Sequence, residues 1–289
     1  MRKIAIVTDS NSGISQMDAE KIGVFVLPMP FTIDGKEYFE GINLTVDGFY
    51  EMLENDADIY TSQPAPEAVT KLWDDILKEY DEIVHIPMSS GLSGACQTAW
   101  MLSQEYDGKV QVVDNQRISV TQRQSVLDAL ELIKRDKSAE EIKNILEADK
   151  MNSSIYIMMD TLKYLKKGGR ITPATAAIGT VLNIKPILKL NTGVLETYKK
   201  SRGMKKARQE MLEAMKHDFD VTFKEYADKG EIYLMAASSA DEATTQEWVE
   251  EIKAYFPGME VLCDDLSLGI CCHTGEGALG IGCSCRPRR

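Results

Sequence analysis

Ile83-Val84-His85-Ile86, then Ser89-Ser90-Gly91-Leu92-Ser93-Gly94, then Ala95 to Tyr106 is the stretch whose reading decides the fold. The first piece is β-branched and reads as a strand; the last reads as a helix. A turn from strand to helix in an α/β sheet lies at the carboxyl edge, where ligands usually bind. The helix start offers free N–H groups and a partial positive charge, so it favours an anion. Three hydroxyls and two glycines there suit a carboxylate or a phosphate. The plain structural alternative is that Ser93 only caps the helix.

Outward from this joint the pattern repeats. Residues 3–8 read as a first buried strand, and a helix follows near Ser15 to Lys21. An extended stretch runs through Phe25 and Phe31. Thr45 reads as an N-cap before Phe49, Tyr50, Met52 and Leu53. Pro64 and Pro66 precede a helix with Val69, Leu72, Trp73, Ile76 and Leu77 at 3- and 4-residue spacing. Val110 to Val113 is a strand, Val120 to Lys134 a helix, and Ser138-Ala139-Glu140-Glu141 a capping box. The alternation predicts a largely parallel sheet with flanking helices over residues 1–150.

The second half has another rhythm. Ile155 to Met158 is a strand, and a helix begins at Leu162 and stops at Gly168-Gly169. Asn191-Thr192-Gly193 signals a hairpin between Ile187–Leu190 and Val194–Tyr198. A long helix is expected from Met204 to Tyr226. Strands at Ile232–Ala236 and Val261–Cys263 flank a helix near Glu247 to Tyr255. Residues 151–289 are therefore expected to form a second α/β domain with a mixed sheet, and the fold class is α/β in two domains, with the boundary near Lys150.

The chain has 289 residues and a net charge of −12. That balance disfavours nucleic acid as a partner, because a phosphate backbone demands a basic stripe and this chain is acidic. No apolar run approaches the roughly 20 residues that span a bilayer. The start, Met1 to Ser10, is too short in its apolar part for a signal peptide. The six cysteines then read as reduced thiols and the chain as cytoplasmic.

Other motifs carry alternatives. Thr61-Ser62-Gln63-Pro64 supplies hydroxyls just before a helix, or is only a stiff helix entry. Gly275-x-Gly277-x-x-Gly280 mimics a dinucleotide fingerprint, but only nine residues follow, too few for a βαβ unit. It reads better as a loop placing His273, then a short last strand. Cys271, Cys272, His273, Cys283 and Cys285 match no common zinc spacing. Gly91-Leu92-Ser93-Gly94-Ala95 resembles a hydrolase elbow with its last glycine displaced, so a serine esterase using Ser93 and His273 is the competing activity. Lys166-Lys167-Gly168-Gly169-Arg170, Lys199-Lys200-Ser201-Arg202 and Lys205-Lys206 stand out as basic in an acidic chain. They either cap elements or meet a phosphate or acidic partner.

In order along the chain, Thr8-Asp9-Ser10, Ile33-Asp34-Gly35 to Tyr38, Thr61-Ser62-Gln63-Pro64 and Ser90-Gly91-Leu92-Ser93-Gly94 are joined by several later pieces. These are Leu162–Leu165 with Gly168-Gly169-Arg170, Lys185-Pro186-Ile187, Arg202 with Lys206-Ala207, and His273-Thr274-Gly275 with Gly277. The set resembles the DegV family of bacterial fatty-acid-binding proteins. Glu276 departs from a common proline, and Asn115-Gln116-Arg117 from a Ser-rich turn.

The resemblance implies a two-domain binding subunit, not an enzyme on its own. It implies one long-chain fatty acid buried between the domains, and no cofactor. It further implies a separate ATP-dependent kinase that phosphorylates the bound carboxylate for phospholipid synthesis. By motif, Thr61, Ser62, Ser93, Gly94, His273 and Thr274 fall at the carboxylate. Arg170 and Arg202 fall in basic motifs suited to kinase docking or phosphate stabilisation. The apolar stretch with Ala174, Ile178, Leu182 and Ile184 suits an acyl tunnel or an ordinary core helix. About 15 buried methylenes at roughly 0.8 kcal/mol each offer a gross ~12 kcal/mol before association costs. Net acidity argues against diffuse membrane binding but leaves room for a transient contact through Lys166, Lys167 and the terminal arginines.

Overall fold

The computed structural model describes residues 2–55, 57–171 and 184–288. The expected tunnel residues Ala174, Ile178 and Leu182 lie outside the described residues. The chain divides into two compact units. One comprises Met1–Lys150 with Ser267–Gly269 and Pro287–Arg289; the other comprises Met151–Leu266 with Ile270–Arg286.

The first unit is built on a four-stranded parallel sheet. Its strands are β1 (Ile4–Asp9), β2 (Phe25–Leu27), β6 (Glu82–Ile86) and β7 (Val110–Val112), in the order β2-β1-β6-β7. Alternate residues face opposite layers, as strand geometry requires. Ile6, Val84 and Ile86 pack with α5 (Ser119–Lys134) and α6 (Ala139–Ala148) through Val126, Leu132, Ile142 and Leu146. Ala5, Val7 and Ile83 pack with α3 (Pro66–Ile76) and α4 (Ala95–Ser103) through Val69, Trp73, Cys96 and Ala99. Helix α1 (Gln16–Ile22) is capped by Ser15, α2 (Val46–Glu54) by Thr45, and α6 by the Ser138–Glu141 capping box.

A second, antiparallel sheet in this unit was not expected from the sequence. It joins β3 (Pro30–Ile33), β4 (Lys36–Phe39) and β5 (Ile59–Thr61) in the order β4-β3-β5. Asp34 and Gly35 turn the hairpin with φ of 48° and 79°. Asp-Gly supports that left-handed pair, which matches the twist of the flanking strands.

The second unit holds a six-stranded mixed sheet. Its strands are β8 (Ser153–Met158), β9 (Ile184–Asn191), β10 (Val194–Arg202), β11 (Ile232–Ser238), β12 (Val261–Asp265) and β13 (Leu279–Cys285), ordered β10-β9-β8-β13-β11-β12. Only β11 and β12 pair in parallel. The last strand is thus not short: all seven residues are buried and it pairs on both sides. Leu279, Ile281, Cys283 and Cys285 join one core with Met211 and Met215 of α8 (Met204–His217) and Trp248 of α10 (Glu242–Tyr255).

Two expectations in this half are corrected. The helix expected over Met204–Tyr226 breaks into α8, a π-helical turn at Asp218–Thr222, and α9 (Lys224–Ala227). The turn is closed by the Phe223 N–H donating to Asp218 O at 2.7 Å. Asp218 is buried and accepts from the Tyr156 hydroxyl at 2.9 Å, so the extra residue of the turn accompanies an inward anchor. His273 lies not in a loop but in α11 (Leu268–Thr274). Strand β10 also continues past Tyr198 to Arg202, so Lys199 and Lys200 sit on an edge strand, where lysines discourage pairing with other chains.

Candidate functional site

The candidate residues fall into two groups, one in each unit. In the first unit, the loop after β6 is fixed before its hydroxyls are offered. Asp9, at the end of β1, is 1% exposed. Its carboxylate accepts from the N–H of Met88 at 2.7 Å, the N–H of Asn11 at 3.0 Å and the Gln122 amide at 3.2 Å. Burial nonetheless pushes its pKa up to about 6 against those three donors. The Ser89 N–H donates to Arg117 O at 2.8 Å, and the Ser90 hydroxyl to Asp114 at 2.6 Å. The loop is thus tied to both neighbouring strand ends.

Ser93 is half-buried, and its Oγ accepts the Ala95 N–H at 3.2 Å. The capping role weighed against it is real, but it uses an acceptor lone pair and leaves the hydroxyl proton for another oxygen. Gly94 is exposed at the N-cap of α4 and contributes no side chain of its own there. Thr61 ends β5 half-buried, and Ser62 is exposed with its N–H on Pro30 O at 3.2 Å. Gln63 brings this turn to the other: its Oε1 accepts from Thr98 Oγ1 at 3.1 Å and lies 3.0 Å from where a Cβ on Gly94 would stand. Thr61, Ser62, Ser93 and Gly94 therefore belong to adjacent turns.

In the second unit, His273 is half-buried, and burial with the nearby Arg170 cation holds its pKa down at about 4. Near neutral pH the ring is neutral, with one nitrogen to donate and one to accept. Thr274 is 3% exposed, and its hydroxyl faces Ile270 O at 3.4 Å and Gly275 O at 3.2 Å. Its single proton is directed to backbone, which makes it a poor donor to a ligand. Arg170 follows α7 (Lys163–Gly168) and donates to Gly168 O. Ile171 bridges to Leu195, seven residues before Arg202 on β10, or roughly 23 Å at strand rise. Ile184, the described tunnel candidate, is half-buried at the start of β9.

Sequence reasoning passed over Asp9 and Gln122, which hold the Met88 end of the loop. Asp9 was quoted only as part of a motif, and Gln122 carries no local signal because its partners lie 113 and 114 residues away.

Ser93 does not have the backbone of a nucleophile elbow. A nucleophile elbow is a sharp, strained turn. Among the described residues, positive φ outside glycine occurs at Asp34, Asp107, Gln116, Ser119, Asp136 and Thr192, not at Ser93. No cluster of three or more His, Cys, Asp or Glu suited to a metal occurs among the described residues. No helix among them is long and apolar enough to cross a membrane.

The chain is similar to known proteins over its whole length. It is 32% identical over 285 residues to a DegV domain-containing protein of Staphylococcus aureus (strain N315), covering 97% of this chain and 98% of that one. It is similar to a solved DegV family protein from Thermus thermophilus, described for its fatty acid binding, at 33% identity and a TM-score of 0.87, over 99% of this chain and 100% of the other. It is likewise similar to DegV from Bacillus subtilis, described as a fatty acid binding protein, at 31% identity and a TM-score of 0.85 over the same shares. The family model for the uncharacterised DegV family matches residues 3–285, and the chain belongs to the DegV family.

Proposed function

We propose that this protein binds one long-chain fatty acid and presents its carboxylate to a separate ATP-dependent kinase, which converts it to an acyl phosphate for phospholipid synthesis. The observation that carries the reading is the whole-length similarity, above 30% identity, to two solved proteins described as fatty acid binding. The chemistry of the two groups supports it. A buried carboxylate is costly unless several donors meet it. Ser93 retains its proton, Thr61 and Ser62 lie in the adjacent turn, Gly94 adds no side chain of its own at the α4 start, and His273 is neutral and able to donate. Thr274 enters this set only as a support for the helix end. Arg170 and Arg202 are assigned to kinase docking or phosphate stabilisation. The protein works in the cytoplasm, as a carrier without a cofactor, with an acyl tunnel that includes Ile184.

Ser93→Ala and His273→Ala test the reading in fatty-acid binding and in kinase-dependent phosphorylation. Each is expected to weaken binding by tenfold or more, the scale of one lost hydrogen bond to a charged group. Unchanged binding and phosphorylation in both variants would overturn it. Reversing Arg170 and Arg202 to Glu should abolish phosphorylation while leaving bound lipid in place.

A further inference from the structure

We propose that Gly168 is a positioning residue that seats the His273 imidazole, an inference that rests on the reading of His273 as a carboxylate donor. A Cβ at position 168 would stand 2.2 Å from His273 Nδ1 and 2.5 Å from Cε1. Both are inside the distance at which real Cβ atoms stop, so the ring occupies the volume where any other residue would carry its side chain. The Arg170 guanidinium also donates to the Gly168 carbonyl oxygen.

The contact is reciprocal. Tyr164, four residues earlier and on the same face of α7, lays its ring where a Cβ on Gly275 would stand, 2.6 Å from Cε2. One ring from α7 thus sits on a glycine of the 273–277 segment, and one ring from that segment sits on a glycine of α7. Gly277 is different: the Asp160 carboxylate lies at an ordinary contact distance of 3.5 Å from its Cβ position, and its φ of +79° is what favours glycine there. At these two positions, Gly168 and Gly275, the segment that carries His273 and helix α7 leave no room for a methyl group.

The adjacent glycines of Gly168-Gly169 then have different reasons. Gly169 is at the helix C-cap with φ of +67°, and nothing lies within 4 Å of its Cβ position. It is needed for backbone conformation, which asparagine also tolerates. Gly168 is the last helical residue with no positive φ, and helix propensity alone would make alanine there stabilising. The seat predicts the reverse sign.

The test compares wild type, Gly168→Ala, Gly169→Asn, His273→Ala and the double variant Gly168→Ala/His273→Ala. Imidazole signals are followed by NMR from pH 3.5 to 8, with His273→Ala identifying the signal. In wild type and Gly169→Asn, His273 is expected to titrate near 4. In Gly168→Ala the displaced ring should move by one unit or more toward 6.5, with at least a tenfold loss of affinity for oleate. Gly168→Ala should also lower the melting temperature, and removing the ring in the double variant should restore it, which keeps the test open if the single variant folds poorly. A Gly168→Ala protein with wild-type His273 titration, or a double variant as unstable as the single, would overturn the seat. Wild-type oleate affinity in His273→Ala would overturn the carboxylate reading alone.

Discussion

At the residue scale, burial shifts the titration of ionisable groups next to the candidate site. His85, on the central strand β6, is 1% exposed, meets the edge of Trp73 at 5.5 Å, and has no hydrogen-bond partner on either ring nitrogen. Burial holds its pKa down at about 3. Unfolded, the ring would take a proton near 6.5; folded, it resists until far lower pH. Its neutral form therefore supports the fold fully above pH 6.5, and that support is lost as pH falls toward 3. At pH 5 the loss from this one group is about 2 kcal/mol relative to pH 7. His85→Phe removes the titration and an unsatisfied buried polar group together. Its urea midpoint should fall less than that of wild type between pH 7 and pH 5, and parallel falls would contradict the assignment.

At the element scale, the site depends on turns that neighbouring elements hold in place. The Ser89–Gly94 loop is tied by Asp9, Asp114 and the Arg117 carbonyl, so its hydroxyls are positioned without a ligand. Asp114→Ala deletes the Ser90 partner, and ligand affinity should drop several-fold with little loss of overall stability. Equal affinity, measured by displacement of a fluorescent fatty acid, would show that the loop orders itself. Away from the site, Ser138→Ala removes the capping box of α6 and should cost about 1 kcal/mol, read as a lower urea midpoint with unchanged slope.

These same elements show what could be read in the chain. The parallel strands, α3, α5 and the capping box were legible because apolar spacing and caps are local. The Asn191–Gly193 hairpin was legible for the same reason, with Thr192 and Gly193 both at positive φ. The Asp34-Gly35 hairpin carried an equally local signal and was read only as a motif, so the small antiparallel sheet was missed. The break at Asp218 was not legible, because the hydrogen bond that accompanies it is to Tyr156, 62 residues away. The helical setting of His273 was hidden for another reason: α11 is only seven residues long and carries adjacent cysteines, weak helix formers. Among candidate residues, Ser93 and Gly94 could be placed by pattern, whereas the clearance at Gly168 is a tertiary fact with no trace in its neighbours.

At the scale of the whole molecule, the proposed carboxylate donors are Ser93, Thr61 and Ser62 of the first α/β unit and His273 of the second. If one fatty acid is the ligand of this chain, it should stabilise the folded protein by mass action. At a free concentration 100 times the dissociation constant the gain is about 2.7 kcal/mol, read as a concentration-dependent rise in melting temperature. Native mass spectrometry of the purified protein, followed by denaturing extraction and lipid identification, tests the central claim most directly. The account predicts one adduct per chain with the mass of a long-chain fatty acid, reduced or lost in Ser93→Ala. A protein that carries no adduct and takes up none from added oleate or palmitate would contradict it.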